Sequence, residues 1–340
     1  MLSKSIKIIF CLLCSILIIS CVTQNASETY NWSVSDTFNI HDYTKLVKRT
    51  GSDFRILQLA DTQLENNAAK IERTFNIISD AVSDTNPDML VLTGDNVSGF
   101  SNYALGKRLI AFLDTFEIPY ALVMGNHDGE GIFNNKKMGG IYGAGTYSLF
   151  TNGPKNLPGS GNYGINIVNE SGDILYALIM IDSNRYRGRG YDYIYPEQIA
   201  WYEWYIKGVS TERYGTYNAA AHVLQSLSFF HIPLPEMNDV RAEMRAANPA
   251  AEQDAFRENP CPPDINTGMF QKMKDLNSTT YMVNGHDHIN RLDYEYQGIH
   301  FVYGLKTGTC SYYDEDRLGA TLITIKDDLS IQVDFIAARR

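Results

Sequence analysis

The chain has 340 residues, 44% of them apolar and 20% charged, enough for one large domain or two modest ones and ordinary for a soluble globular protein. Its formal net charge of −10 disfavours nonspecific binding of DNA or RNA, which depends on Lys and Arg neutralising phosphates, and no basic run interleaved with aromatics argues otherwise. An anionic small-molecule substrate is not excluded, because a bound metal cluster inverts the charge locally.

Residues 1–20 read as a leader, with Lys4 and Lys7 in a short basic start and then the apolar stretch IIFCLLCSILIIS. That stretch suits a signal peptide and is too short to span a bilayer comfortably. It closes with Ile18-Ile19-Ser20-Cys21, which resembles a bacterial lipobox with Ile18 in place of the usual Leu. The resemblance implies cleavage before Cys21, a lipid on that residue, and an exported protein anchored facing the periplasm or cell exterior. An ordinary signal peptide and a secreted product are the alternative. Residues 21–50 read as a polar linker followed by an N-terminal edge segment, and residues 51–340 as one globular domain.

From Phe54 the signals become regular. FRILQLA is a compact apolar run suited to a buried strand, and Ile71, Phe75, Ile78 and Val82 recur at helical spacing between Ala68 and Asp84. Pro87-Asp88 ends that helix, MLVLTG follows as a strand, Tyr103–Phe116 as a helix, and YALVMG as a strand after Pro119. Continuous apolar strands alternating with helices predict parallel β-α-β units buried on both faces. Residues 129–162 are rich in Gly, Asn and Lys and read as a long rim loop. Strands are expected near Tyr163–Asn169 and Ile174–Ile181, then a Tyr- and Trp-rich helix over Pro196–Lys207. VLQSLSFF is the next strand, Glu236–Phe256 a polar surface helix, and TYMVNG a further strand. LDYEYQ, IHFVYG, ATLITI and SIQVDFI read as successive antiparallel strands.

Metal-capable side chains fall at the ends of these apolar runs. Asp61 and Gln63 follow the first, Asp95 the second, and Gly125-Asn126-His127-Asp128 the third; His231 closes VLQSLSFF, and Gly285-His286-Asp287-His288 follows TYMVNG. In α/β sheets, ligand sites form outside the carboxyl ends of strands, so these five loops are expected to converge. Asp and Asn after strands are also common turn formers, and each alone would mean little.

In this order the blocks resemble the signature of the calcineurin-like metallophosphoesterases, D-x-(H)…GD…GNHD…H…GHxH, over Asp61–His288. The text Phe230-His231-Ile232-Pro233-Leu234-Pro235-Glu236 is similar to the purple-acid-phosphatase-like branch, as are Tyr303–Gly308 and Arg317–Ala320. The resemblance implies a four-layer α/β/β/α sandwich of two mixed sheets that holds two divalent ions (Mn, Fe or Zn) ~3.5 Å apart. Asp61, Asp95 and His288, with Gln63, are the implied ligands of one ion; Asp95, Asn126, His231 and His286 those of the other. Asp95 would bridge. The implied reaction is hydrolysis of phosphate esters, most naturally monoesters, by a hydroxide held between the ions. His127 would stand beside the leaving oxygen, and Asp128 would fix its tautomer. Phosphodiester hydrolysis on the same centre is the alternative.

Two departures stand out. Gln63 replaces the family's His; its carbonyl coordinates more weakly than imidazole, which leaves open a changed metal preference, a lower rate or a non-catalytic, surface-anchored binding protein. Ser98 stands three residues after Asp95, where purple acid phosphatases carry Tyr, so no purple charge-transfer band is expected. The expected partner is a small phosphorylated substrate, with no nucleic acid and no membrane contact beyond a lipid on Cys21. His41, His222 and His300 read as ordinary, Arg185 as a surface ion-pair former, and Trp201 and Trp204 as core. Cys261 and Cys310 are left either as one disulfide or as two thiols.

Overall fold

The structure is a computed structural model that describes residues 30–339. The expected leader and Cys21 lie outside the described residues. No described helix is long and apolar enough to cross a membrane.

Two mixed sheets face each other. The smaller has the strand order β14 (Ile331–Ala337), β13 (Gly319–Ile325), β2 (Phe54–Leu59), β3 (Met89–Thr93), β4 (Tyr120–Val123). Its strands β2, β3 and β4 run parallel, so their carboxyl ends share one rim. The larger has the order β1 (Thr44–Val47), β5 (Tyr163–Val168), β6 (Ile174–Met180), β9 (Ser226–Phe229), β10 (Thr279–Asn284), β12 (Ile299–Tyr303), β11 (Leu292–Tyr296). Here β6, β9 and β10 are parallel neighbours. Pleat alternation sorts the side chains of the larger sheet: Leu178 and Met180 join the core between the sheets, while Ala177, Ile179 and Ile181 join the core under the outer helices.

Helix α1 (Ala68–Thr85) packs on β2 and β13, and α2 (Asn102–Leu113) adds Leu105, Leu109 and Leu113 to the same core. Asn67 starts α1 by accepting from Lys70 N, and Asn86, at φ 43°, ends it in the left-handed conformation just before Pro87. The 129–162 rim is not wholly loop; it contains α3 (Asn135–Tyr142), capped by Asn134. On the other side of the molecule, α4 (Pro196–Tyr214) covers β6, and α7 (Met269–Leu276) covers β10. The helix expected over Glu236–Phe256 is two, α5 (Met237–Ala247) and α6 (Pro249–Ala255). Asn248 closes the first and caps the second by accepting from Ala251 N, and Pro249 fits the first helical position that follows. The result is the expected helix–sheet–sheet–helix sandwich.

The last four strands depart from the expected run. β11 and β12 are an antiparallel hairpin of the larger sheet, with β12 parallel to β10; β13 and β14 are an antiparallel hairpin of the smaller sheet, where β13 flanks β2. The strap between Tyr303 and Gly319 carries the chain from one sheet to the other. Within it Lys306 bridges both Ala60 and Leu318. At the opposite edge, Trp32 packs edge-on against Trp204 with ring centroids 5.9 Å apart, and β1 pairs with β5.

Candidate metal centre

Five strands deliver the sequence-marked residues to one place. From the smaller sheet come Asp61 and Gln63 after β2, Asp95 after β3, and Asn126 and His127 after β4. From the larger come His231 after β9, and His286 and His288 after β10. All but His127 are buried. Four of them sit in backbone conformations that L-residues seldom adopt: Asp61 (φ 52°), Gln63 (43°), Asp95 (47°) and His286 (80°). Each such residue costs on the order of 1–3 kcal/mol, and strain of this kind persists where the surrounding structure fixes it. Close approach explains two glycines. A Cβ on Gly125 would fall 2.1 Å from Asp95 N, and one on Gly285 would fall 2.5 Å from Asp61 Oδ2.

The donor atoms form two groups, Asp95/His231/His286 and Asp61/Asp95/His288, each with its atoms within 4.8 Å of one another, and Asp95 is common to both. His231 Nε2 lies 3.2 Å from Asp95 Oδ2, 3.1 Å from Asn126 Oδ1 and 3.3 Å from His286 Nδ1. His288 Nε2 lies 3.5 Å from Asp61 Oδ1. Outer contacts set the rings. His231 Nδ1 is 2.9 Å from the Thr93 carbonyl, and His288 Nδ1 is 3.1 Å from the Tyr312 carbonyl. A carbonyl only accepts, so each Nδ1 carries a hydrogen and each Nε2 is the nitrogen turned toward the carboxylates. His286 Nε2 is buried with no hydrogen-bond partner in the protein. Carboxylate oxygens and imidazole nitrogens gathered within 4.8 Å of one another, on rings of which one keeps a buried nitrogen without a partner, make a donor set that fits divalent cations.

The charges agree. Burial alone would lower the His231 imidazole, but Asp95 and Asp61 outweigh it and raise it to about 9. His286, buried and beside His231, is pushed down to about 3. Burial would raise Asp95 and Asp61, yet the neighbouring imidazoles hold both below the usual carboxylate range. The carboxylates thus impose a negative potential that draws positive charge into the cluster.

His127 stands at the edge of the cluster, its Nε2 3.9 Å from Asp95 Oδ2 and its backbone N–H donating to Asp95 Oδ1 at 2.8 Å. The carboxylate at its Nδ1 is Glu130, at 2.7 Å, and not Asp128 as expected. Asp128 turns inward instead. It accepts from Gly125 N at 2.7 Å, Asn96 N at 3.1 Å and the Tyr142 hydroxyl, and burial raises it to about 6. Its task is to hold the β3 and β4 loops together, because a fully buried carboxylate surrounded by backbone donors is satisfied where it sits.

Gln63 is engaged as well. Its Oε1 accepts from Lys306 Nζ at 3.1 Å, and the same Nζ donates to the Asp61 carbonyl at 3.0 Å. Burial lowers the Lys306 ammonium to about 8 against the pull of Asp61 and Asp95. Beside the cluster opens a cleft of about 430 Å³ lined by His127, Glu130, His288, Ser98, Phe100 and Tyr312, among others. Ser98 Oγ donates to Glu65 Oε1 at 3.0 Å.

Sequence reading missed the short hairpin of β7 (Tyr186–Arg187) and β8 (Gly190–Tyr191). Asn126 Nδ2 donates to the Tyr186 hydroxyl at 2.8 Å, which turns the amide oxygen toward His231. Tyr191 meets His286 edge-on at 4.3 Å. Arg185 donates to the carbonyls of Asn126 (2.8 Å) and Gly129 (3.0 Å), bracing the His127 loop rather than forming the expected surface pair. Tyr-Arg-Gly-Arg-Gly-Tyr carries a turn signal, but nothing in it marks the destination. Cys261 and Cys310 are separate thiols, one exposed and one buried.

The calcineurin-like phosphoesterase model matches residues 54–290. The chain belongs to this family, and membership implies a dinuclear metal centre, in accord with two donor groups that share Asp95. It is 26% identical over 304 residues to an Arabidopsis thaliana protein named probable inactive purple acid phosphatase 14, across 79% of this chain and 73% of that one. It is 28% identical over 298 residues to Arabidopsis thaliana probable inactive purple acid phosphatase 29, across 79% and 75%. Among solved structures, a dimetal phosphatase from Danio rerio aligns over 84% of this chain and 99% of that one, with a TM-score of 0.49 and 12% identity.

Proposed function

We propose that this protein hydrolyses phosphate esters, monoesters in the first place, in the 430 Å³ cleft beside the cluster. Phosphodiester hydrolysis is the alternative on the same centre. The observation that carries the reading is the pair of donor groups joined through Asp95, with His127 beside them at the cleft. Asp61, Asp95 and His288 would hold one cation, and Asp95, Asn126, His231 and His286 the other. When bound, two divalent ions (Mn, Fe or Zn) supply Lewis-acid neutralisation of the phosphate and lower the pKa of an attacking water. Glu130 at Nδ1 orients His127, and the Nε2 of that ring donates a proton to the departing oxygen. Asp128 and Arg185 keep the His127 loop in register through backbone contacts. Export through the leader, with or without a lipid on Cys21, belongs to the same proposal, as does a small phosphorylated substrate.

A second reading is a metal-loaded binding protein without turnover. It is favoured by the capture of Gln63 by Lys306 and by the word inactive in the names of two relatives. Aryl phosphate hydrolysis with Mn²⁺, Zn²⁺ or iron supplied separates the two. Turnover that collapses in Asp95→Asn supports the hydrolase. Two bound ions with no turnover on mono- or diesters support the binding protein.

A further inference from the structure

The two donor groups are not equally provided for. Around His231 and His286 the set is complete: Asp95 Oδ2 and Asn126 Oδ1 lie 3.2 and 3.1 Å from His231 Nε2, and Tyr186 fixes the Asn126 amide. Around Asp61 and His288 the position that would complete the set is Gln63, and its oxygen already accepts from Lys306. That ammonium cannot drift away. Lys306 is 1% exposed; its backbone bridges Ala60 and Leu318, its carbonyl accepts from Gly319 N at 2.9 Å, and the next N–H, that of Thr307, reaches the Ala60 carbonyl at 2.7 Å. Among the described residues its Nζ donates to two acceptors of this strand end, the Asp61 carbonyl and Gln63 Oε1. The Lys306 Nζ sits on the Gln63 side-chain oxygen and the Asp61 backbone carbonyl, so it engages the neutral donor that a cation would use.

We propose that Lys306, by holding the Gln63 oxygen, takes a ligand away from the Asp61/Asp95/His288 group, so that the centre loads unequally. One ion is held tightly by Asp95, Asn126, His231 and His286, while the other is weak and exchangeable. The proposal rests on the metal-centre reading above and adds that hydrolysis follows the free cation concentration through the weak ion alone.

The test is calorimetric titration of the metal-stripped full chain with Zn²⁺, paired with elemental counting after dialysis against graded free Zn²⁺. Wild type is expected to bind in two steps separated by roughly 10- to 100-fold, the scale on which single metal-site partners act. Lys306→Met should tighten the weak step roughly tenfold and leave the tight step in place. Gln63→His, which retains Lys306 and adds an imidazole, should also tighten only the weak step. The wild-type isotherm decides unequal loading even if Lys306→Met fails to fold, and Lys306→Gln then takes its place as the test of the Lys306 contact. Two ions bound within about threefold of each other in wild type, or a weak step unmoved by both substitutions, would overturn the proposal. Chains that take up no Zn²⁺ at all would instead sink the metal-centre reading beneath it.

Discussion

The two sheets contribute different chemistry to the centre. Every oxygen donor, Asp61, Gln63, Asp95 and Asn126, leaves the five-stranded sheet, and every imidazole donor, His231, His286 and His288, leaves the seven-stranded one. Neither sheet alone offers a set that both offsets cation charge and supplies directional nitrogen ligands. The apolar core between them brings the two half-sets within contact distance, but the final closure sets carboxylates of one sheet against imidazoles of the other. A cation held there would cross-link the two sheets.

That contrast can be broken at several points. Asp95 belongs to both donor groups, so Asp95→Asn should lower aryl phosphate hydrolysis by roughly 10³-fold or more and remove both ions by elemental analysis. Retention of two ions would show that the sheets meet without it. His127→Ala should cost about 10²-fold in kcat, the usual scale of a positioned acid, with ion content kept. Glu130→Gln should cost about tenfold in kcat, whereas Asp128→Asn should chiefly lower the melting temperature.

Chelation addresses the cross-link itself. Removing ions held at 100 to 1,000 times their dissociation constants costs about 3–4 kcal/mol, and melting should fall by roughly 5–10 °C. Amide exchange should then rise at the ends of β2–β4 and of β9–β10 together; a rise confined to one sheet would mean that the other closes unaided.

The smallest expected effect lies away from the ions. Asp182 is fully buried, accepts from Ser160 N and Asn184 N, and is raised by burial from 3.8 to about 6. A raised carboxyl contributes stability that is complete below the unfolded value and is lost as pH climbs through the folded one. Its share, about 3 kcal/mol at most, should therefore disappear between pH 3.8 and about 6. Denaturant midpoints across that range should fall less steeply in Asp182→Asn, although Asp128, raised in the same way, keeps part of the slope.

What the sequence disclosed follows from where information is local. Asp95 and Asn126 were legible because each ends an apolar run, and strand ends of parallel units gather on one rim. The partner of His127 was misread because Asp128 is adjacent in sequence, while Glu130 reaches Nδ1 only after the loop turns back. Lys306 meets Gln63 across 243 positions, and no periodicity reports such a pairing. The four C-terminal strands were correctly seen as extended, but partner choice lies in the strap between hairpins, whose composition is merely that of a loop.

The order of the donors along the chain has a consequence for biosynthesis. The carboxylates and the amide are translated by residue 126, whereas the first imidazole of the set comes only at His231 and the last at His288. A nascent chain therefore carries an acidic half-site for more than a hundred residues with no nitrogen ligand to accompany it. Selection of any ions would then be postponed until nearly the whole polypeptide exists, so the compartment in which folding finishes, rather than the one in which synthesis begins, would decide which metals are captured.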